Sequence, residues 1–300
     1  MTNGESQIGG YQLLDFGHGR KLEQFGELIL DRPSPAAEGI AKDSPKQWRD
    51  ADVVLDAKGI LKTQTPRSTE FLEGKRPWIV TWNTIKLQLR LTPFGHVGVF
   101  PEQLENWALL TGLIRNRVSD SSSVAALNLF AYTGGSTLAM ASAGANTVHV
   151  DASGPAVNWA RRNCDASELS QFPIRWIQED ARKFVARERK RQNKYEFVVL
   201  DPPSFGHGPK GKRWDITEDL APLLGDIAAI MSEESCHIIL SGHSTTPSAD
   251  DILRLLGNEI RRAGRAVSTN QKSLARLNLV SSSGRPLDAG YSIHLEVAPL

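Results

Sequence analysis

Four short apolar segments in this chain each end in residues that can bind a polar ligand, and this feature constrains the fold more than any other. The segments span residues 124–129, 147–150, 174–177 and 197–200, and they lead into Gly134-Gly135, Asp151, Glu179-Asp180 and Asp201-Pro202-Pro203-Ser204-Phe205. Each segment has the composition of a buried strand, and helical patterns separate them, which is typical of βαβ units in a parallel sheet. Because ligands in open α/β sheets bind beyond the carboxyl ends of the strands, the four ends predict one cleft.

The rest of the chain extends this sheet and adds a smaller module. Helices are predicted at residues 155–163, 181–190, 218–231 and 250–263, and further strands at 236–240, 275–281 and 291–297. The pattern predicts an α/β protein with a doubly wound, mostly parallel seven-stranded sheet that ends in an antiparallel hairpin. Residues 1–95 carry short apolar pieces broken by glycine and proline, which predicts an N-terminal β-rich module. Residues 96–300 then form the larger domain.

Composition excludes several classes of protein. No apolar run approaches the roughly 20 residues that cross a bilayer, and the N-terminal residues lack the pattern of a signal peptide, so we expect a cytoplasmic protein without a membrane partner. The two cysteines and seven histidines show no metal-ligand spacing, so no metal is expected. A net charge of only +1 argues against binding long duplexes through many phosphates, so any nucleic-acid contact must be local.

The cleft residues favour a cofactor without a diphosphate. A dinucleotide site needs G-x-G-x-x-G at its first turn, whereas this turn has only Gly134-Gly135, which disfavours a nicotinamide-dependent dehydrogenase. S-adenosylmethionine fits, because its carboxylate can bind N–H groups in residues 132–136 and its ribose hydroxyls can donate to Asp151. Asp180 would accept from the adenine amino group, with the Ala181 N–H opposite a ring nitrogen. Asp180 can equally be a cap of the helix that begins at Ala181.

At these residues the chain resembles a known family. Residues 127–135, Asp151, Asp180 and 201–205 are similar to the motifs of class I S-adenosylmethionine-dependent methyltransferases, within them the group that contains large-subunit ribosomal RNA methyltransferases. The resemblance covers residues 95–300 and implies a Rossmann-like methyltransferase fold. Family members carry a Phe-Leu-Asp-Gln-Arg segment before the first core strand, and residues 100–103 are similar to it. The cofactor-binding residues predicted from the cleft and from the resemblance together are Phe100, Gln103, Ala131, Tyr132, Thr133, Gly134, Gly135, Ser136, Asp151, Ala152, Asp180, Ala181 and Asp201.

The segment after the fourth strand predicts the reaction. Asp201-Pro202-Pro203-Ser204-Phe205 is similar to the Asp/Asn-Pro-Pro-aromatic motif of methyltransferases that act on planar amines. A carboxylate and a proline-fixed carbonyl can accept the two amine hydrogens and draw the lone pair out of conjugation. Phe205 would stack on the ring of the acceptor. We therefore predict Asp201, Pro202, Pro203 and Phe205 as catalytic residues; the alternative is that the prolines end a strand and that Phe205 belongs to the core.

The acceptor is narrowed by a missing thiol. Methyltransferases of cytosine carbon use a cysteine just after the fifth strand, where this chain has Leu240-Ser241-Gly242-His243-Ser244. We therefore predict an amine or ring nitrogen of a nucleobase in RNA, with ribosomal RNA favoured. A small-molecule or protein acceptor, or an inactive RNA-binding factor on the same fold, are the alternatives.

Two basic segments are candidates for RNA contacts. The loop 206–214 follows the catalytic strand, and its Lys210, Lys212, Arg213 and Trp214 are predicted to bind substrate phosphates and stack a base. In the other interpretation this loop closes over the cofactor, with Trp214 as its hydrophobic anchor. The basic residues between 182 and 194 are better explained as a solvated helix face.

Overall fold

The computed structural model describes residues 7–56, 61–63, 65–92, 95–120, 123–207, 213–243, 247–268 and 274–299. The chain divides into two compact units, Met1–Glu105 with Leu277–Ala289 and Asn106–Arg276 with Gly290–Leu300. This division differs from the boundary predicted at residue 95. A segment close to the C-terminus belongs to the first unit, and no local pattern in the sequence marks such a return.

The first unit is rich in β structure. Its elements are β1 (Tyr11–Gly17), β2 (Arg20–Phe25), β3 (Leu28–Pro33), β4 (Val53–Leu55), β5 (Leu61–Thr63), α1 (Pro66–Leu72), β6 (Ile79–Trp82) and β7 (Ile85–Gln88). Strands β1 to β5 form a five-stranded sheet in chain order, and β6 and β7 form a separate antiparallel pair. The predicted N-terminal β-rich module is confirmed.

The remaining elements are helices and strands that mostly alternate, with two places where strands follow one another without a helix between them. They are α2 (Leu104–Asp120), β8 (Ala125–Leu129), α3 (Gly135–Ser142), β9 (Asn146–Asp151), α4 (Gly154–Ala166), β10 (Ile174–Gln178), α5 (Ala181–Lys190), β11 (Phe197–Leu200), β12 (Phe205–His207), β13 (Arg213–Asp215), α6 (Ile216–Ile230), β14 (Cys236–Gly242), α7 (Ala249–Arg262), β15 (Leu274–Val280) and β16 (Pro286–Val297). A 3-10 turn at Pro101–Gln103 precedes α2.

Seven of these strands form one sheet in the order β10-β9-β8-β11-β14-β16-β15. The neighbouring strands β10, β9, β8, β11 and β14 pair in parallel, and β16 runs antiparallel to β14. The predicted doubly wound, mostly parallel sheet is confirmed. The chain moves outward from β8 to β10 and then returns to β11 on the other side of β8, so the strand order reverses between β8 and β11. Ligands of open α/β sheets bind at such a switch point.

Local side-chain caps fix where the core helices begin. The side chains of Ser153, Asp180 and Asp215 each accept a hydrogen bond from a first-turn N–H of α4, α5 and α6. Ser248 and Asp251 form a capping box at the start of α7. Caps of this kind contribute about 1 kcal/mol each, which is why helix starts could be read from the sequence.

The core lies on both faces of the sheet. Leu127, Leu129, Val198 and Leu200 pack on one face with the apolar sides of α5, α6 and α7. Ala126, Phe197 and Val199 pack on the other face with α2 and α3. Residues of β11 alternate between the two faces and are all buried, which is typical of a central parallel strand.

No helix within the described ranges is long and apolar enough to span a membrane. Over those same residues, no three His, Cys, Asp or Glu side chains are grouped as metal ligands. Cys164 and Cys236 are free and buried.

Candidate functional site

The turn after β8 has an unusual backbone. Phe130, Tyr132 and Gly134 have φ angles of 54°, 48° and 89°, so every second residue lies in the left-handed region. For a non-glycine residue this costs on the order of 1–3 kcal/mol, and such strain is concentrated at binding sites. The sequence signalled only the glycine.

The two glycines of this turn are required by packing. A Cβ atom at Gly134 would lie 3.0 Å from Cβ of Ala160, and one at Gly135 would lie 2.4 Å from Cζ2 of Trp107. The glycines therefore let the turn approach α4 and α2 closely. Packing is therefore a second reason for glycine at these two positions, besides the cofactor contact that the sequence predicts.

Replacing Gly135 with alanine should lower the free energy of unfolding by about 1–3 kcal/mol, because overpacking displaces the Trp107 ring. Urea unfolding measures the loss. Gly112→Ala in α2 is the control, since nothing lies within 4 Å of its added Cβ. Equal stability of the two variants would contradict the packing argument.

Asp151 joins the ends of two strands. Its Oδ2 accepts the Tyr132 N–H at 2.8 Å, and its Oδ1 accepts the Ser153 N–H at 2.8 Å. Burial raises the pKa of Asp151, and these two backbone donors oppose the rise. Each carboxylate oxygen has a second lone pair, which leaves acceptor capacity for two ribose hydroxyls.

This geometry corrects one expectation. The Tyr132 N–H is used by Asp151, and the Gly134 N–H donates to the Ala131 carbonyl at 3.0 Å. Of the N–H groups of residues 132–136, these two therefore already have acceptors within the protein. The first-turn N–H groups of α3, from Gly135 onward, lie at the positive end of the helix dipole and fit a carboxylate.

Asp180 follows β10 and caps α5. Its Oδ1 accepts the Arg182 N–H at 2.9 Å, and both of its oxygens are bonded by the Arg182 guanidinium. Burial raises the pKa of Asp180, but the Arg182 contacts outweigh burial and hold that pKa below its usual value. The capping interpretation is confirmed. A role for Asp180 and the buried Ala181 at adenine stays a prediction.

Asp201 follows β11 and lies beside the end of β14. The parallel register pairs Leu200 with Leu240, so Asp201 comes next to Ser241, with which its side chain is hydrogen-bonded. Burial raises the pKa of Asp201; the charge of His243 and the Ser241 bond oppose the rise. The negative charge of Asp201 in turn contributes, after burial, to the raised pKa of Tyr291, about 12. Sequence reasoning missed Ser241 and Tyr291 at this site, because only strand register brings them together.

Trp214 is an anchor. It is buried, its Nε1 donates to the Pro203 carbonyl at 2.5 Å, and its ring centroid lies 4.8 Å from that of Phe130. These contacts favour the alternative of a hydrophobic anchor, and a contact of Trp214 with substrate stays a prediction. Its register partner is Gly206 in β12.

Phe205 has the opposite environment. It is 63% exposed, and the exposed Arg213 guanidinium lies 5.5 Å from its ring centroid. Phe205 is therefore not a core residue, and both side chains are available to an acceptor. The predicted Lys210 and Lys212 lie outside the described residues.

Phe100 and Gln103 lie just before α2. Phe100 precedes the 3-10 turn, where Gln103 is buried, and both belong to the first compact unit. Their role at the cofactor stays a prediction.

The basic face of α5 is largely neutralised by ion pairs, since Arg187, Arg189 and Arg191 pair with Glu179, Asp226 and Glu188.

The predicted cleft residues are connected by short contacts. Tyr132 is bonded to Asp151, and the Glu179 N–H donates to the Asp151 carbonyl at 3.0 Å. On the other side, Trp214 contacts both the turn at Phe130 and the motif at Pro203. These contacts link the ends of β8, β9, β10 and β11, and the prediction that their acceptor groups and the start of α3 bind an adenosine joined to an amino acid is consistent with this arrangement.

A buried polar network links β8, α3 and β9 next to this turn. The Asn128 Nδ2 donates to Thr137 Oγ1 at 2.9 Å, and that hydroxyl lies 2.9 Å from Nδ1 of His149. In the part of the chain that the structure describes, Nε2 of His149 has no hydrogen-bond partner. Burial, with a smaller contribution from the charge of Arg161, lowers the pKa of His149 to about 3. The imidazole is therefore neutral at physiological pH.

This pKa predicts acid sensitivity. Below the ordinary histidine pKa of 6.5, the unfolded chain takes up a proton that the folded protein excludes, so stability falls as the pH drops from 6.5 toward 3. The slope is about 1.4 kcal/mol per pH unit for this one group. Urea unfolding from pH 7 to 4.5 should show a flatter dependence for His149→Gln, which keeps the other buried histidines. Parallel curves would contradict the assignment.

The structure is similar to solved methyltransferases. An S-adenosylmethionine-dependent methyltransferase from Agrobacterium tumefaciens superposes with a TM-score of 0.82 and 32% identity, over 98% of this chain and 92% of that one. The chain belongs to the S-adenosylmethionine-dependent methyltransferase family. A methyltransferase structure complexed with S-adenosylhomocysteine, at 17% identity and a TM-score of 0.67 over 97% of this chain and 76% of that one, shows the same fold. The family and the cofactor class predicted from the cleft are confirmed.

Two further comparisons concern RNA. The model of the RNA cap guanine-N2 methyltransferase family matches residues 124–241 of this methyltransferase. A ribosomal RNA large subunit methyltransferase K/L of Shewanella frigidimarina is 31% identical over 247 residues, which are 76% of this chain. The match covers 33% of that relative, so the chain spans about a third of the length of this curated relative.

Proposed function

We propose that this methyltransferase modifies an exocyclic amine or a ring nitrogen of a nucleobase in RNA, with ribosomal RNA the first class to test. The observation that carries the proposal is the position of Asp201-Pro202-Pro203 beside an exposed aromatic ring, Phe205, at the switch point of the sheet. The match to a guanine-N2 methyltransferase family over residues 124–241 supports an amine acceptor. The name of the Shewanella relative supports ribosomal RNA.

The chemistry assigned to Asp201 follows from its environment. A nucleobase amine is a poor nucleophile while its lone pair is delocalised into the ring, and an ionised Asp201 can accept one of its hydrogens. The Pro203 carbonyl already accepts from Trp214. The carbonyl of Pro202 is therefore the better candidate for the second amine hydrogen. When bound, the cofactor supplies an electrophilic methyl group.

The end of β14 favours a nitrogen acceptor over a pyrimidine carbon. The strand ends with Ser241 and Gly242, His243 follows it, and Cys236 lies at its other end. A cytosine-carbon mechanism would need a thiol just after this strand. With Cys164 in α4, neither of the two cysteines of the sequence lies there.

Recognition of RNA would rest on few contacts. Phe205 offers a stacking surface worth about 1–3 kcal/mol for a base, and Arg213 offers a donor for one phosphate. A base within a folded RNA would have to rotate out of its stack to reach Asp201. We place this activity in the cytoplasm, where a ribosomal RNA substrate would be found.

The test uses RNA from cells that lack this enzyme, so that its target nucleotide is unmethylated. Total RNA from a deletion strain is incubated with the purified protein and methyl-labelled cofactor, and modified nucleosides are identified by mass spectrometry. We expect label in an N-methylated purine or pyrimidine of ribosomal RNA. Label in a carbon-methylated nucleoside, or no label in RNA at all, would refute the proposal.

A further inference from the structure

Arg182 contacts both sides of the predicted cleft. Its Nη2 and Nε lie 2.5 and 3.0 Å from the two carboxylate oxygens of Asp180. Its Nη1 lies 2.7 Å from Oδ1 of Asp219 in α6 and donates to the Arg213 carbonyl at 3.2 Å. One guanidinium therefore holds the end of β10, the start of α6 and the strand β13.

The contact continues to the catalytic motif through Trp214. The Arg182 guanidinium lies 5.6 Å from the centroid of the Trp214 ring, and Trp214 donates to the Pro203 carbonyl. Only two side chains thus separate the Asp180 carboxylate from the backbone of the Asp-Pro-Pro segment. We call these two, Arg182 and Trp214, the Arg–Trp link.

The ion pair of the link is partly shielded from water. The Asp180 side chain is 8% exposed and that of Arg182 is 24% exposed, whereas the pair Arg189–Asp226 on the same two helices has an arginine that is 61% exposed. Ion pairs that are partly withdrawn from water are screened less and hold a more defined geometry than exposed ones. Arg189 contacts neither Asp180 nor β13 by any recorded bond, so it is a natural control.

We infer that Arg182 is a positioning residue that couples occupancy of the adenine site at Asp180 to the placement of Trp214 and the Pro203 backbone. The inference rests on the proposed function, because it assigns the adenine amino group to Asp180. Oδ1 of Asp180 already accepts from both the N–H and the Nε of Arg182, whereas Oδ2 accepts from Nη2 and can take one more hydrogen bond, which is the place for the adenine amino group. An adenine donor would fix the carboxylate, and the bidentate guanidinium would carry that constraint to Asp219 and Trp214.

Such coupling is reciprocal. If an occupied adenine site favours a placement of the motif that binds the acceptor more tightly, a bound acceptor must raise the affinity for the cofactor by the same factor. A role of Arg182 in stability alone would not change the affinity of one ligand in response to the other.

The experiment follows individual tryptophans. The protein is labelled with 5-fluorotryptophan, and the fluorine resonances of Trp214 and Trp159 are assigned with Trp214→Phe and Trp159→Phe. Trp159 reports on the turn, since its ring centroid lies 6.1 Å from that of Tyr132. S-adenosylhomocysteine is then added, and its binding is checked by calorimetry.

In the wild type, we expect S-adenosylhomocysteine to shift both resonances. In Arg182→Met, the Trp159 resonance should still shift while the Trp214 resonance stays at its free position. Arg189→Met should behave as the wild type. Arg182→Lys provides a second variant, because lysine keeps the charge but cannot bond both Asp180 oxygens and Asp219 at once, so the Trp214 shift should be reduced.

Two results would overturn the inference alone. One is a Trp214 shift in Arg182→Met as large as in the wild type, and the other is a wild-type protein in which only Trp159 responds. If the wild type binds no S-adenosylhomocysteine and neither resonance moves, the proposed function fails together with the inference.

Discussion

Replacing Asp201 with alanine should lower kcat for methyl transfer by about 10²–10⁴-fold, the range that a positioned proton acceptor contributes. Although Asp201 is also among the predicted cofactor-binding residues, the Kd for S-adenosylhomocysteine should change far less than kcat, because Asp151 and the first turn of α3 remain. Radiolabel transfer to RNA measures the first quantity, and calorimetry measures the second. The split between the two is the diagnostic result.

Asp201→Asn and Asp226→Asn are the controls. An asparagine at 201 retains one carbonyl oxygen as acceptor, so its activity should fall between those of the wild type and Asp201→Ala. Asp226 lies on α6 and pairs with Arg189, so its neutralisation should leave activity unchanged. Full activity of Asp201→Ala would exclude the amine mechanism.

The raised pKa of Asp201 adds a prediction about stability. Burial favours the protonated carboxyl, so this group stabilises the fold only at low pH, and that contribution is lost as the pH rises through its folded pKa. At pH 7 the ionised group is a net cost. Asp201→Asn should therefore be more stable than the wild type at pH 7, with a smaller difference at pH 4. A less stable variant at pH 7 would contradict this assignment.

Replacing Asp151 with alanine should weaken binding of S-adenosylhomocysteine by about a hundred-fold or more. Each hydrogen bond to a charged group is worth about 1.5–3 kcal/mol, and the ribose would lose two of them. The wild type is expected to bind with micromolar Kd, so calorimetry can follow the loss. The variant also loses the bonds to the Tyr132 and Ser153 N–H groups, which adds to the effect.

A structural loss can be separated from a lost ligand contact. Thermal unfolding reports whether Asp151→Ala still folds, and Asp151→Asn keeps one oxygen for the backbone while removing the charge. Asp165→Ala in α4 removes an exposed carboxylate that bonds only the Ser170 hydroxyl among the recorded contacts, and it should bind as the wild type does. Unchanged affinity in a folded Asp151→Ala would remove the ribose assignment.

Much of the fold could be predicted because its signals are local. Helix α5 begins and ends at Ala181 and Lys190, as predicted, since Asp180 caps it and its apolar residues recur at helical spacing. The mostly parallel pairing of the core strands followed from the βαβ pattern. The boundary of the first unit could not be predicted in this way, because Leu277–Ala289 is far along the chain from the rest of that unit.

The sequence by itself determined the chemistry at the ends of the strands: Gly134, Asp151, Asp180 and Asp201 follow strands that must be parallel, and parallel strands present their carboxyl ends at one edge. Only the tertiary structure decided the environment of each group. The left-handed Phe130 and Tyr132, the burial of Trp214 and the exposure of Phe205 all depend on neighbours distant in the chain. The physical reason is that a residue type fixes which bonds a side chain can make, whereas burial and partners are set by packing between elements.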